Sequence, residues 1–187
     1  MNSYLEIKLL PDPEFSPTTL MNALFSKLHR ALVTHGGQNI GVSFPDAGEK
    51  NPTLGARLRL HAAAVDLEKL MALGWMTGMR DHAKVGEITP VPAHAKHRIV
   101  RRVQAKSNPE RDRRRLIARK GLSPEEARQA IPDSAAERLR LPYLVLGSQS
   151  TEQQFRLFVE HLPIQEQALN GLFSAYGLSP SATVPWF

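Results

Sequence analysis

The changes of hydrophobic period along the first ninety residues constrain the fold more than any other feature of the chain. "YLEIKLL" (4–10) alternates, which places Leu5, Ile7 and Leu9 on one side of a half-buried strand. The next segment, "SPTTLMNALFSKLHRALVTHGG" (16–37), switches to helical spacing, with Leu20, Leu24, Leu28, Ala31 and Leu32 as its apolar stripe. Ser16 is a suitable N-cap, Pro17 fits the first turn, and Gly36 closes the end. "IGVSF" (40–44) and "ARLRLHA" (56–62) then read as strands, "VDLEKLMALGWMTGM" (65–79) as a second helix, and "KVGEITPV" (84–91) as a fourth strand. The order β-α-β-β-α-β predicts a ferredoxin-like unit with two helices over one face of an antiparallel sheet.

"TPVPAHAKH" (89–97) carries Pro and His without a pattern and reads as a junction. The expected class is therefore α+β, with a ferredoxin-like domain over 1–93 and a second, divergent α+β domain over 94–187. In the second half, "RIVRRVQA" (98–105) alternates so that Arg98, Val100, Arg102 and Gln104 share a side. "SPEEARQAI" (123–131) reads as a short helix capped by Ser123. "YLVLGSQS" (143–150) and "QFRLFVEH" (154–161) read as strands, ahead of a turn-rich tail.

Charge is distributed unevenly. Residues 96–120 hold eleven Lys or Arg against Glu110 and Asp112, whereas the remaining chain carries thirteen against sixteen acids. The excess centres on "NPERDRRRLIARK" (108–120), where Asn108 and Pro109 open a helix. At about 100° per residue, Arg111, Arg114, Arg115 and Arg119 fall on one face, with Leu116 and Ile117 turned away and Arg113 and Lys120 off the stripe. Like charges at this spacing repel unless an anion lies against them. A solvated face would need acid partners, and few are near. A membrane-surface helix would need a larger apolar face than Leu116 and Ile117 supply. Nucleic acid is the expected partner, and RNA is favoured because no second helix at helix-turn-helix spacing appears. Arg102 and Gln104 are residue types that grip purine edges bidentately, although two polar residues on a solvated strand face would look the same.

Little in the sequence suggests metal or nucleotide chemistry. The chain has no cysteine, its acids are scattered singly, and no Gly-rich phosphate loop precedes a helix. "HAKH" (94–97) is a weak metal signal in an unpatterned stretch. Charges at Glu6 and Lys8 interrupt any signal-peptide run, so the expected compartment is the cytoplasm, with no membrane partner. RNA cleavage needs no cofactor, because the 2′-OH can attack its own phosphate once a base takes the proton. His29 suits that base, lying about a right angle off the apolar stripe. Ser148, Ser150 and Tyr176 are candidates to orient the ribose or the imidazole.

Taken together, "PDPEF" (11–15), "LFSKLHRALV" (24–33), "IGVSFPD" (40–46), "RVQAKSNPER" (102–111), "SQSTEQQFRLF" (148–158), "YGLS" (176–179) and "VPWF" resemble the CRISPR precursor-RNA-processing endoribonucleases of the subtype I-F system, in the repeat-associated RNA-binding superfamily. The resemblance implies that His29 deprotonates the 2′-OH, that Ser148 holds the attacking ribose with Ser150 close by, and that Tyr176 orients the histidine. It implies that Arg102 and Gln104 read bases at the foot of the repeat hairpin and that Phe155 stacks on the closing pair. The helix opened by Asn108, with Arg111, Arg114, Arg115 and Arg119, would lie in the major groove of the stem. Ala118 departs from the family pattern, which carries a further arginine there.

The implied activity is metal-independent cleavage at the 3′ base of the hairpin, leaving a 2′,3′-cyclic phosphate and requiring no cofactor. The implied partners are the repeat hairpin RNA and the other subunits of the subtype I-F surveillance complex, the isolated protein being a monomer. The competing readings are a non-catalytic hairpin-binding or capping subunit of a defence or transposon-associated complex, and a basic DNA-binding regulator. The last leaves Ser148, Phe155 and Tyr176 without a role.

Overall fold

A computed structural model describes residues 1–48, 53–104, 109–133, 139–147 and 153–187. They form two compact units, Met1–Val103 with Leu141–Phe187, and Gln104–Arg140. The architecture is α+β as expected, with two antiparallel sheets and four helices among the described residues.

In the larger unit, β1 (Ser3–Leu9) leads into α1 (Pro17–His35), followed by β2 (Gly41–Ser43), β3 (Arg57–Ala62), α2 (Ala64–Ala72) and β4 (Ala83–Val85). The sheet order is β2-β3-β1-β4, all neighbours antiparallel, which is the arrangement of a split βαβ unit. Leu5, Ile7 and Leu9 are buried beside Leu58 and Leu60 and beneath the α1 stripe of Leu20, Leu24, Leu28, Ala31 and Leu32. The caps of α1 follow its residues. The Ser16 hydroxyl accepts from the Thr19 N–H, and Gly36 is left-handed at φ 73°, with its N–H donating to Leu32 O.

The opposite face of this sheet is polar in sequence yet buried. Arg59 donates to Glu6 Oε2 at 2.8 Å and to Phe187 O at 3.0 Å, and its guanidinium lies 4.0 Å from the Phe187 ring centroid. Beside it, His61 is fully buried with Nε2 2.8 Å from Ser43 Oγ. The alternation "RLRLH" therefore marks a strand covered on both faces, its charges satisfied by specific partners.

Two expected elements differ. The second helix stops at Ala72 instead of reaching residue 79. Gly74 takes φ +64°, a left-handed turn that ends helices, although Met76 and Met79 beyond it remain buried and prolong the apolar pattern. The fourth strand is split into β4 and β5 (Thr89–Pro90). Ile7 pairs with Val85 but Tyr4 with Thr89, so Gly86, Glu87 and Ile88 oppose only Leu5 and Glu6, which makes a one-residue bulge on the sheet edge.

The second sheet, β7-β8-β6-β9, is built from β6 (Lys96–Val103), β7 (Tyr143–Gly147), β8 (Gln154–His161) and β9 (Thr183–Trp186). Strand β9 falls in the segment read as a turn-rich tail. It is four residues long and contains Pro185, which an edge strand tolerates because among the described residues one edge of it forms no ladder. Val100, Leu144, Leu146, Leu157 and Val159 join the first sheet's residues in one hydrophobic cluster. On the free edge of β7, the Val145 N–H donates to Asn22 Oδ1 of α1 at 3.0 Å, which ties the helix to the second sheet.

The smaller unit holds α3 (Pro109–Lys120) and α4 (Pro124–Ala130). Ser123 and Glu126 form a capping box at the start of α4, and Ala127 is buried. Among the described residues no helix is long and apolar enough to cross a membrane.

Candidate active site

His29 lies on the flank of α1, half-buried, one residue past the buried Leu28. Its Nδ1 is 2.8 Å from the carbonyl oxygen of Ala175. A carbonyl can only accept, so Nδ1 carries the proton of the neutral ring and Nε2 keeps the lone pair. Tyr176 stacks on the imidazole, with ring centroids 4.2 Å apart and an interplanar angle of 12°. Two consecutive residues, the first 146 positions beyond His29, thus hold the ring by an edge contact and a face contact.

Two further predicted residues converge there. The guanidinium of Arg102, near the end of β6, lies 5.6 Å from the Tyr176 centroid and 5.8 Å from that of Phe155 on β8. Arg102 is exposed, and Phe155 is half-buried against the core. Strand β7 ends at Gly147, paired with Gln154, and Leu146 is paired with Phe155. Ser148 and Ser150 lie outside the described residues, as does Asn108. Gln104 is exposed in the smaller unit.

The arginine helix is amphipathic in charge. No residue of α3 is buried, and Arg111, Arg114, Arg115 and Arg119 are exposed. Arg111 Nε is 3.6 Å from Asp112. Among the described residues Arg114, Arg115 and Arg119 have no ion-pair or hydrogen-bond partner. Arg113, read from sequence as off the stripe, has a side chain only 13% exposed. It donates to Ile131 O at 2.7 Å and pairs with Asp133, joining α3 to the end of α4.

Sequence reasoning did not single out Ala175 or Gly177. The first contributes a backbone carbonyl, to which side-chain identity gives no clue. The second carries a positive φ of 66°, which only its being glycine hints at. The segment "PDPEF" also has a defined role in the fold. Asp12 accepts from the N–H groups of Glu14 and Phe15 and lies 2.8 Å from His82 Nδ1, and those backbone donors hold its carboxyl below the ordinary aspartate value.

The larger unit offers an imidazole whose Nε2 has no hydrogen-bond partner among the described residues, two aromatic faces and an exposed guanidinium, and the smaller unit offers a cationic helix face. Such a set can move a proton, stack on bases and neutralise phosphates.

Comparison with known proteins gives a consistent result. Residues 4–187 match the family model described as "CRISPR-associated protein (Cas_Csy4)". The chain is 57% identical over 187 residues to "CRISPR-associated endonuclease Cas6/Csy4" of Pseudomonas aeruginosa (strain UCBPP-PA14), covering all of both chains. It is 47% identical, again over the full length of both, to the protein of the same description from Escherichia coli (strain UTI89 / UPEC).

Proposed function

Because this chain belongs to the Cas_Csy4 family of CRISPR-associated proteins, we propose that it is an endoribonuclease that processes CRISPR precursor RNA. It cuts at the 3′ base of the repeat hairpin and stays bound to the mature guide, joining the other subunits of the subtype I-F complex. The observation that carries this reading is the grip on His29, edge-on by the Ala175 carbonyl and face-on by Tyr176, beside Arg102 and Phe155.

In the proposed reaction, His29 Nε2 takes the proton of the 2′-OH at the cleavage position. The 2′ oxygen forms a bond to the adjacent phosphorus, the bond from phosphorus to the 5′ oxygen breaks, and that oxygen leaves as a 5′-hydroxyl with a proton from water, the imidazolium returning its own proton to solvent. The products are a 2′,3′-cyclic phosphate and a 5′-hydroxyl end. No oxidant, metal or nucleotide enters the balance. Tyr176 orients the imidazole, Ser148 holds the ribose with Ser150 beside it, and Phe155 stacks on the closing base pair. Arg102 and Gln104 read bases, and the helix opened by Asn108, with Arg111, Arg114, Arg115 and Arg119, grips the stem phosphates.

Cleavage of the cognate repeat hairpin in EDTA tests the reading. The wild type should make one cut that a 2′-deoxy at the cleavage position abolishes, and His29→Ala should be slower by at least about 10²-fold, as for loss of a positioned general base. Tight hairpin binding with no cut would instead leave a binding and capping subunit.

A further inference from the structure

We propose that the turn Ser174–Leu178 is a positioning device that selects the tautomer of His29, and that Gly177, wedged against Val42, holds it in register. The proposal rests on the reading of His29 as the base and names the part of the fold that makes Nε2, and not Nδ1, the proton acceptor. The side chain of Ala175 is exposed, so this residue acts through its backbone alone. The direction of its carbonyl is set by its neighbours. Ser174 N–H donates to Leu178 O at 2.9 Å, Gly177 N–H donates to Ser174 O at 2.8 Å, and Tyr176 N–H donates to Ser174 Oγ at 3.3 Å.

This self-bonded turn is anchored to β2. Val42 N–H donates to Gly177 O at 2.9 Å, and one step earlier Phe173 N–H donates to Gln38 O at 2.9 Å. The anchor leaves no room for a side chain. Gly177 is buried with φ +66°, and a Cβ there would stand 2.6 Å from Val42 Cγ1 and 3.4 Å from Ile40 O. A substitution must move either Val42 or the turn, and the turn carries both groups that touch the imidazole. Tyr176 and Ala175 are adjacent in sequence, so one displacement disturbs the ring's face contact and its edge contact together.

Gly177→Ala tests this. Its single-turnover cleavage rate should fall by about 10²-fold, the usual cost of misplacing a catalytic group by an ångström, while hairpin affinity stays within about threefold of wild type. Val42→Ala placed on top of it removes the nearest clash and should recover part of the rate. A structural defect alone would not produce the second readout, 15N NMR of the histidine rings without RNA at about pH 8.5, where an ordinary histidine is neutral. In the wild type, His29 should show a protonated Nδ1 and a bare Nε2, and in Gly177→Ala a mixture of tautomers.

A wild-type ring protonated at Nε2 overturns the proposal, whatever the variants do. So does a Gly177→Ala protein that cuts at the wild-type rate. If Gly177→Ala does not fold, Ser174→Ala, which loses only the hydroxyl contact to Tyr176 N–H, carries the same expectation at smaller amplitude. The two readings fail separately. Wild-type protein with Nδ1 protonated that never cuts RNA supports the positioning turn and sinks the nuclease.

Discussion

Phe155 is the side chain that the proposed function places against the closing base pair of the hairpin. Its ring is half-buried against the core, and Arg102 lies over it at 5.8 Å. A solvent-exposed cation such as Arg102 over a ring contributes only about 0.5–1 kcal/mol, so the guanidinium is displaced at small cost if a base pair stacks there as proposed. Stacking of a base on an aromatic is worth more, about 1–3 kcal/mol by alanine substitution. Phe155→Ala should therefore weaken hairpin binding by about that amount, measured as the equilibrium dissociation constant, with a thermal midpoint close to wild type. Equal affinity in the variant would remove Phe155 from the interface. His29 was legible in sequence because its angle from the Leu28 stripe put it at the rim of α1. Its partner was not, because a carbonyl oxygen is the same for every residue type.

At the scale of elements, α3 separates arginines that build the protein from arginines free to bind. Arg113 is engaged with Ile131 O and Asp133, whereas Arg114, Arg115 and Arg119 lack partners among the described residues. Under the proposed assignment of Arg111, Arg114, Arg115 and Arg119 to the stem phosphates, Arg111 exchanging Asp112 for the RNA, hairpin binding should show a log–log salt slope of about −3. Arg115→Ala should flatten it by about 0.7–0.9, the weight of one phosphate contact. Arg113→Ala should leave the slope in place and loosen the pair of helices instead. A slope that does not change in Arg115→Ala would count against the groove assignment. Helix α3 and the capped α1 were readable because caps and charge periodicity are local signals. The overrun of α2 had a physical cause: Met76 and Met79 are buried from turns and imitate another helical turn after Gly74 has ended the helix. The bulge between β4 and β5 and the short β9 depend on pairing with distant strands, which no local window reports.

The whole molecule carries a pH dependence set by two interior histidines. His61 is fully buried, with Nδ1 lacking a hydrogen-bond partner among the described residues. Burial first, and Arg59 second, push its pKa down to about 3. His161, between Phe44 and Trp186, is pushed down to about 4 by burial and then by Arg98. Both titrate near 6.5 in an unfolded chain. Between those values the unfolded chain binds protons that the folded chain refuses, so stability is full above pH 6.5 and falls as the medium is acidified. The slope is about 1 kcal/mol per pH unit for each histidine while both conditions hold. Asp12 and Asp46, held below the ordinary aspartate value by backbone donors and by Arg57 respectively, add a further loss at lower pH. The thermal midpoint should drop between about pH 7.5 and 4.5, and less steeply in His161→Phe. A flat midpoint across that interval would contradict the account.

The grip on His29 from a turn 146 residues later has a consequence for how the protein is made. The helix bearing the imidazole is synthesised before the turn that contacts it, and that turn follows every described strand except β9. A nascent chain therefore holds its histidine without these two contacts until the turn is made, and long-range closures of this kind form late in folding. A chain that stopped short of Ala175 would still carry the imidazole on α1 but would lack both the carbonyl and the ring that fix it.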